Sequence, residues 1–353
     1  MFHPTYNINK SYEENYKTGP EIDFAIPEPV KLPGIKIWNH HLASPIGIPA
    51  GPLLNSKYID LYAKLGFDIP VYKTVRTISR DAHMAPNCVF VDSRHMLQEA
   101  DIGKTIYPLA YQPQSAHDIA ITNSFGIPSK PVEIWQADIE KANASLHKDQ
   151  LMIVSCVGTP LPERDIISDF VLCAQKAAEA GARAIELNFS CPNVVSKEGS
   201  IYQDASLSAE ISKRVKQVIK TIPLMIKIGY IGNDIEAEKI IKANAPFVDG
   251  IAAINTISMQ AKQADGQALL PGKGRLNSGI CGSIIKDLAL AMTRRIAAIR
   301  ASHKFDFIIC GVGGIVSVTD FDDYFTAGAD IAMSATGSMW QPLLAQEWKR
   351  SMA

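Results

Sequence analysis

Residues 151–189 read LMIVSCVGTPLPERDIISDFVLCAQKAAEAGARAIELNF. The two ends, LMIVSCV at 151–157 and RAIELNF at 183–189, are short and nearly continuously apolar. Runs of this kind predict strands buried on both faces, the habit of parallel sheets, rather than the alternation of a half-exposed sheet. Between them, Ile167, Phe170, Val171, Ala174, Ala177 and Ala178 recur at helical spacing over 166–180, and Gly181 follows as a stop. The stretch is one strand–helix–strand unit.

The same alternation runs outward in both directions. Further strand candidates are 44–50 (SPIGIPA), 69–75 (IPVYKTV), 223–229 (PLMIKIG), 249–255 (DGIAAIN), 306–311 (DFIICG) and 330–335 (DIAMSA). Helical stripes lie at 206–221, through Leu207, Ile211, Val215, Val218 and Ile219, and at 283–301, through Ile285, Leu288, Met292, Ile296 and Ile299. Weaker periodicity predicts helices at 55–65, 132–146, 234–244, 317–327 and 340–351. Eight strands, each followed by a helix, are the count of an α/β fold of the (β/α)8 TIM barrel type, with one barrel domain over 41–353. A doubly wound open sheet is the rival, but no G-x-G-x-x-G follows the first strand. Residues 1–40, polar and carrying Pro20, Pro27, Pro29 and Pro33, predict an arm packed on the barrel. Residues 76–131, after the second strand, are too long for a plain connection and predict an insertion over the barrel mouth.

Composition excludes several classes. The chain has 353 residues, 47% hydrophobic and 20% charged, with a formal net charge of −1. That is globular, and offers no basic surplus for nucleic acid or an anionic membrane. The six cysteines, at 88, 156, 173, 191, 281 and 310, include no C-x-x-C pair, so neither a zinc site nor a cysteine-held cluster is signalled. Cys156, Cys173 and Cys310 sit in apolar runs and read as core thiols. A reducing, cytoplasmic setting fits best. The N-terminus lacks a signal-peptide core, and no run of about 18 apolar residues predicts a membrane span.

In a barrel the active site lies at the C-terminal ends of the strands. There the sequence places Lys73 and Thr74 on the second strand and Asn188 on the fourth, with Cys191 and Asn193 just beyond; Lys227 is on the fifth, and Asn255 and Thr256 end the sixth. This set has cations, amides and a thiol but no carboxylate, which suits an anionic, planar, amide-rich ligand and not a hard metal ion. Each residue also has an ordinary reading. Lys73 alone is a solvated cation, Asn255-Thr256 a turn, and Cys191 an inert buried thiol; Lys227 is harder to dismiss, because an ammonium inside an apolar strand is costly without a partner. Late glycine features, SGICG at 278–282, GVGG at 311–314 and ATGS at 335–338, include two that follow the seventh and eighth strands, where barrels bind phosphate through loop N–H groups.

ELNFSCPNV at 186–194 and NSFGIPS at 123–129, with IPAG at 48–51, YKTVRT at 72–77, MIKI at 225–228, INTI at 254–257 and CGVGGI at 310–315, resemble in order and spacing the class 1 dihydroorotate dehydrogenases, FMN-containing (β/α)8 barrels. The Asn-x-x-Cys-Pro-Asn element is highly specific, the glycine pairs less so. The resemblance implies that Cys191 is the base taking a proton from C5 of dihydroorotate, with Lys73 beside it in the site. Lys73, Asn123, Phe125, Gly126, Ile127, Asn188, Asn193, Asn255 and Thr256 would hold the substrate. Ala50, Gly51, Lys73, Thr74, Asn123, Asn188, Lys227 and Ile254 would contact the flavin, with Gly282, Gly313, Gly314, Ala335 and Thr336 around its phosphate. The loop 192–204 would close over the substrate. The resemblance further implies dihydroorotate and orotate as ligands, no metal, a homodimer, and fumarate, or NAD through an electron-transfer partner subunit, as acceptor. Cys191 where the membrane-associated class has serine, and a polar N-terminus, place the resemblance in the soluble class.

The sequence departs from the family at Phe125 (usually methionine), Ser129 (usually asparagine) and Ala335 (usually glycine). Residues 255–290 also resemble the pyrimidine domain of dihydropyrimidine dehydrogenases, so another dihydropyrimidine such as dihydrouracil is the alternative substrate. Two remoter readings are a Schiff-base aldolase using Lys73 or Lys227 and a barrel that only binds a metabolite.

Overall fold

The computed structural model describes residues 2–190 and 197–353, the side chains of 197–199 excepted. The chain enters through α1 (Tyr12–Thr18), opened by a capping box in which the Ser11 hydroxyl accepts from the Glu14 N–H and the Glu14 carboxylate accepts from the Ser11 N–H. An antiparallel hairpin follows, β1 (Ile35–Ile37) with β2 (His40–Leu42). The alternation then begins: β3 (Ile46–Ile48), α2 (Ser56–Lys64) and β4 (Ile69–Val75). The first insertion carries β5 (Thr105–Ile106) and β6 (Ala120–Asn123). After it come α3 (Val132–Ser145), β7 (Ile153–Cys156), α4 (Ile166–Glu179), β8 (Ile185–Asn188), α5 (Ala205–Ile219), β9 (Leu224–Ile228), α6 (Asp234–Asn244) and β10 (Gly250–Ala253). A second excursion holds β11 (Ile257–Ala261) and β12 (Asn277–Gly282), and the chain ends with α7 (Lys286–His303), β13 (Ile308–Val312), α8 (Val318–Thr326), β14 (Ile331–Met333), α9 (Thr336–Trp340) and α10 (Leu344–Met352).

Among the described residues, the eight apolar segments become the eight staves of one closed parallel barrel, in the order β3, β4, β7, β8, β9, β10, β13, β14 and back to β3. The (β/α)8 expectation holds. Side-chain caps explain where several helices start: Asn55, Asp165, Asp204 and Asn233 each accept from a first-turn N–H. The helix expected over 340–351 is α10, which starts at Leu344 because Pro342 cannot donate to a helix running on from Trp340; the short α9 before it was not foreseen.

Two cores result. One fills the barrel, with Ile69, Val71, Ile153, Ala184, Met225, Ala252, Cys310 and Met333, and is floored by Ile37 and Leu42 of the hairpin. The other lies between strands and helices. The sequence foresaw an insertion after the second strand but not its partner. Strands β5, β11, β12 and β6 form one four-stranded sheet, so the two insertions build a shared roof.

Candidate active site

Period-two geometry decides what faces into the barrel. Ile69 and Val71 of β4 point inward, so Lys73 stands above them; Ser155 stands above Ile153, Glu186 above Ala184, and Lys227 above Met225. On β4, β7, β8 and β9 the uppermost inward positions are therefore polar while those beneath them are apolar. The pairing of β4 with β7 shifts register between Tyr72 and Val75. Thr74, inside that shift, reaches the Ser155 hydroxyl at 2.9 Å.

A chain of hydrogen bonds crosses this layer. Ser155 Oγ donates to Glu186 Oε1 at 2.8 Å, Ser155 and Thr74 share a hydrogen bond, and Asn188 Nδ2 donates to Thr74 Oγ1 at 3.3 Å. Asn188 Oδ1 accepts from Asn255 Nδ2 at 3.4 Å and from the Ser190 N–H at 3.3 Å. Asn255 Nδ2 also donates to the Ser190 carbonyl, and Asn255 Oδ1 accepts from the Thr256 N–H at 3.0 Å. The Thr256 hydroxyl is buried with no hydrogen-bond partner among the described residues.

Glu186 corrects the sequence reading, which counted no carboxylate here. It is 1% exposed, lines the same hollow as Lys73 and Lys227, and burial raises its carboxyl above the usual range, while the Lys227 charge and the Ser155 hydroxyl pull it back. The signal was present: a charged residue inside an apolar strand, the same one that singled out Lys227, itself 6% exposed.

The hollow is lined by Ala50, Gly51, Lys73, Thr74, Asn123, Phe125, Gly126, Ile127, Asn188, Lys227, Asn255 and Thr256 in addition to Glu186. A second hollow shares Gly51, Asn123, Lys227, Asn255 and Thr256 with it and extends to Ile254, Gly282, Gly313, Gly314, Ala335 and Thr336. The structure thus brings together every candidate residue of the sequence that lies among those described. Cys191 and Asn193 lie outside the described residues, as does most of the loop 192–204. Cys281 borders the second hollow, and burial pushes its thiol up to about 11, so it stays protonated at neutral pH.

Two arginines that the sequence did not single out hold the wall formed by 123–129. Arg76, fully buried, donates through Nε to the Ile127 carbonyl at 3.1 Å and through Nη1 to Thr159 Oγ1 at 2.6 Å. Arg275, from the second insertion, donates to the carbonyls of Ser124, Met84, Pro86 and Pro271 at 2.6–3.0 Å. This wall turns sharply. Gly126 and Ile127 have φ of 77° and 52°, and a Cβ on Gly126 would lie 2.4 Å from His83 Nε2, so a larger residue there would strain the backbone and displace the His83 ring. Arginine is mostly an exposed residue type, so Arg275, among the glycines and polar residues of 272–279, carried no mark of burial; Arg76 did, since it directly follows the apolar strand β4.

The sequence model of the family described as Dihydroorotate dehydrogenase matches residues 112–349. The chain belongs to the dihydroorotate dehydrogenase family. A Dictyostelium discoideum protein named dihydroorotate dehydrogenase is 39% identical over 98% of this chain and 96% of its own length. The catalytic subunit of dihydroorotate dehydrogenase B (NAD(+)) from Bacillus cytotoxicus is 32% identical over 50% of this chain and 55% of its own. These relatives put the chain in class 1 of the family, whose members are oxidoreductases. A crystal structure of DHODH in complex with ferulenol from Eimeria tenella superposes with a TM-score of 0.73 at 15% identity, over 93% of this chain and 86% of that one, a likeness of fold. Among the described residues no helix is long and apolar enough to cross a membrane, and no group of three or more His, Cys, Asp or Glu is placed to hold a metal ion.

Proposed function

We propose that this enzyme oxidises dihydroorotate to orotate, the dehydrogenation step of pyrimidine synthesis, with FMN as its cofactor. The observation that carries the proposal is the adjacency of two hollows at one barrel mouth: one lined by ammonium and amide groups, the other by glycine-rich loops. The donor set fits FMN. The second hollow lies where a barrel receives phosphate, after the seventh and eighth strands. Among the described residues, its chain neighbours aside, nothing comes within 4 Å of where a Cβ on Gly51 would stand, which leaves room for a flat ring, and the buried Thr256 hydroxyl has no hydrogen-bond partner among them.

Gly282, Gly313, Gly314, Ala335 and Thr336 would hold the phosphate. Ala50, Gly51, Thr74, Ile254 and Lys227 would hold the ring system, with the Lys227 ammonium offsetting negative charge there. When bound, FMN supplies an acceptor for the hydride leaving C6 of the substrate.

The remaining work falls to the chain itself. Lys73 and the backbone at Gly126 and Ile127 would bind the substrate carboxylate. Asn123, Asn188, Asn193, Asn255 and Thr256 would hold the ring. The Glu186–Ser155–Thr74 chain fixes the orientation of the Asn188 amide and leaves its second Nδ2 hydrogen for a ligand carbonyl. Cys191 would take the C5 proton, a task for a thiol whose pKa of about 8.5 is lowered by neighbouring cations.

The purified protein is expected to carry a flavin spectrum and to turn over dihydroorotate. A colourless protein, or turnover of dihydrouracil alone, overturns the proposal. Cys191→Ser should keep the flavin yet slow its anaerobic reduction by substrate about 100-fold or more at neutral pH; unchanged kinetics would remove Cys191 from the base role. Running the steady-state assay with fumarate, NAD and a quinone identifies the acceptor.

A further inference from the structure

We propose that the N-terminal arm is a working part of this site: Tyr6 and Tyr12 fix the Phe125 ring, and Phe125 positions the Lys73 ammonium for an anionic substrate group. The inference rests on the functional reading above for the identity of that substrate.

Phe125 lines the hollow, and the Lys73 Nζ stands 5.5 Å from its ring centroid. An aromatic face attracts a cation, so the tilt of the ring biases where the ammonium sits. The ring is itself braced. Tyr6 meets it edge to face at 5.9 Å and 86°, and Tyr12 at 6.0 Å and 65°. Both tyrosines are nearly sealed from water, at 3% and 4% exposure. They meet the hollow through Phe125, and Tyr6 also lines a small apolar space together with Gly51, Asn123 and Phe125.

The arm has little freedom to slide. The N–H groups of His3 and Thr5 donate to the carbonyls of Trp340 and Met339 on α9, and Thr5 Oγ1 lies 2.6 Å from the Tyr62 hydroxyl. Helix α1 also grips the far end of the same wall: Lys130 Nζ lies 2.5 Å from Glu13 Oε2 and 5.0 Å from the centroid of the Tyr16 ring. The segment from Phe125 to Lys130 is therefore held at both ends by α1 and the residues just before it. An aromatic cluster with only a packing role would do none of this for the ligand; it would contribute to stability alone.

The test titrates orotate into the flavin-loaded protein, follows the visible absorbance of the flavin, and sets KM beside kcat for dihydroorotate. Phe125→Leu should weaken orotate binding and raise KM about five- to tenfold, with kcat within about twofold of the parent. Tyr12→Leu should move both constants in the same direction, Tyr12→Phe should restore them, and the double variant Tyr12→Leu/Phe125→Leu should bind no worse than Phe125→Leu, since the brace acts through that ring. Loss of melting temperature with unchanged Kd and KM in Phe125→Leu and Tyr12→Leu overturns the inference while leaving the function standing. If Tyr12→Leu does not fold, Phe125→Leu decides by the same criterion, because it leaves the arm intact. A parent protein with no response to orotate defeats the functional reading, and the inference falls with it.

Discussion

Glu186 is a carboxylate held at the mouth of the barrel with a hydrogen bond from Ser155 and the nearby charge of Lys227. Because burial raises its pKa, the folded protein holds this proton more tightly than the unfolded chain does. Its contribution to stability is therefore complete below the ordinary glutamate pKa of about 4.3 and is lost as pH rises through the higher folded value. Glu186→Gln should flatten that decline: melting temperature plotted against pH from 4 upward should fall less steeply in the variant than in the parent. Parallel curves would show that the carboxyl has found compensation elsewhere. Other single residues were easier to read in advance. Lys73, Asn188, Asn255 and Thr256 could be placed because strand ends in a barrel converge. Glu186 is hidden because RAIELNF at 183–189 reads as an apolar run with a polar end, although position 186 is two residues from Ala184 and shares its inward face.

The loop after β13 shows how an element end becomes a cradle. Gly314 has φ of 71°, and a Cβ there would fall 2.5 Å from Lys286 Cβ and 2.6 Å from its Cα, at the first turn of α7. Gly314→Ala must shift that loop relative to α7 and so reshape the second hollow, which Gly314 lines. Flavin affinity should fall about tenfold or more, measured by fluorescence on titrating FMN into the stripped protein; an unchanged Kd would take this loop out of phosphate binding. The barrel strands declared themselves in the sequence because parallel staves are apolar on both faces. Strands β11 and β12 did not. β11 alternates between buried and half-buried positions, β12 starts at an exposed Asn277, and the partners of both in the first insertion are remote in sequence. Nothing local announces pairing of that kind.

The C-terminal helix is tied to the barrel by charge as well as by packing. Lys349 on α10 donates to Asp68 at 2.6 Å, both side chains are almost fully buried, and Ser44 and Gln150 also donate to the same carboxylate. Lys349→Met would leave Asp68 buried with hydrogen bonds but no countercharge, at a cost of about 3–5 kcal/mol. A lower urea midpoint is expected, largely recovered in Asp68→Asn/Lys349→Met; a single variant as stable as the parent would show that the pair is dispensable. Such tertiary ties were not readable, because Asp68 and Lys349 lie at opposite ends of the sequence and each is an ordinary surface type. The shared roof has a consequence for synthesis. Strand β6 ends at Asn123, and its neighbour β12 does not begin until Asn277. At elongation rates of about 5–20 residues per second, the nascent strand waits on the order of ten seconds with an unpaired edge. The first half of this protein thus leaves the ribosome with an open sheet edge whose partner in the fold, β12, is made late.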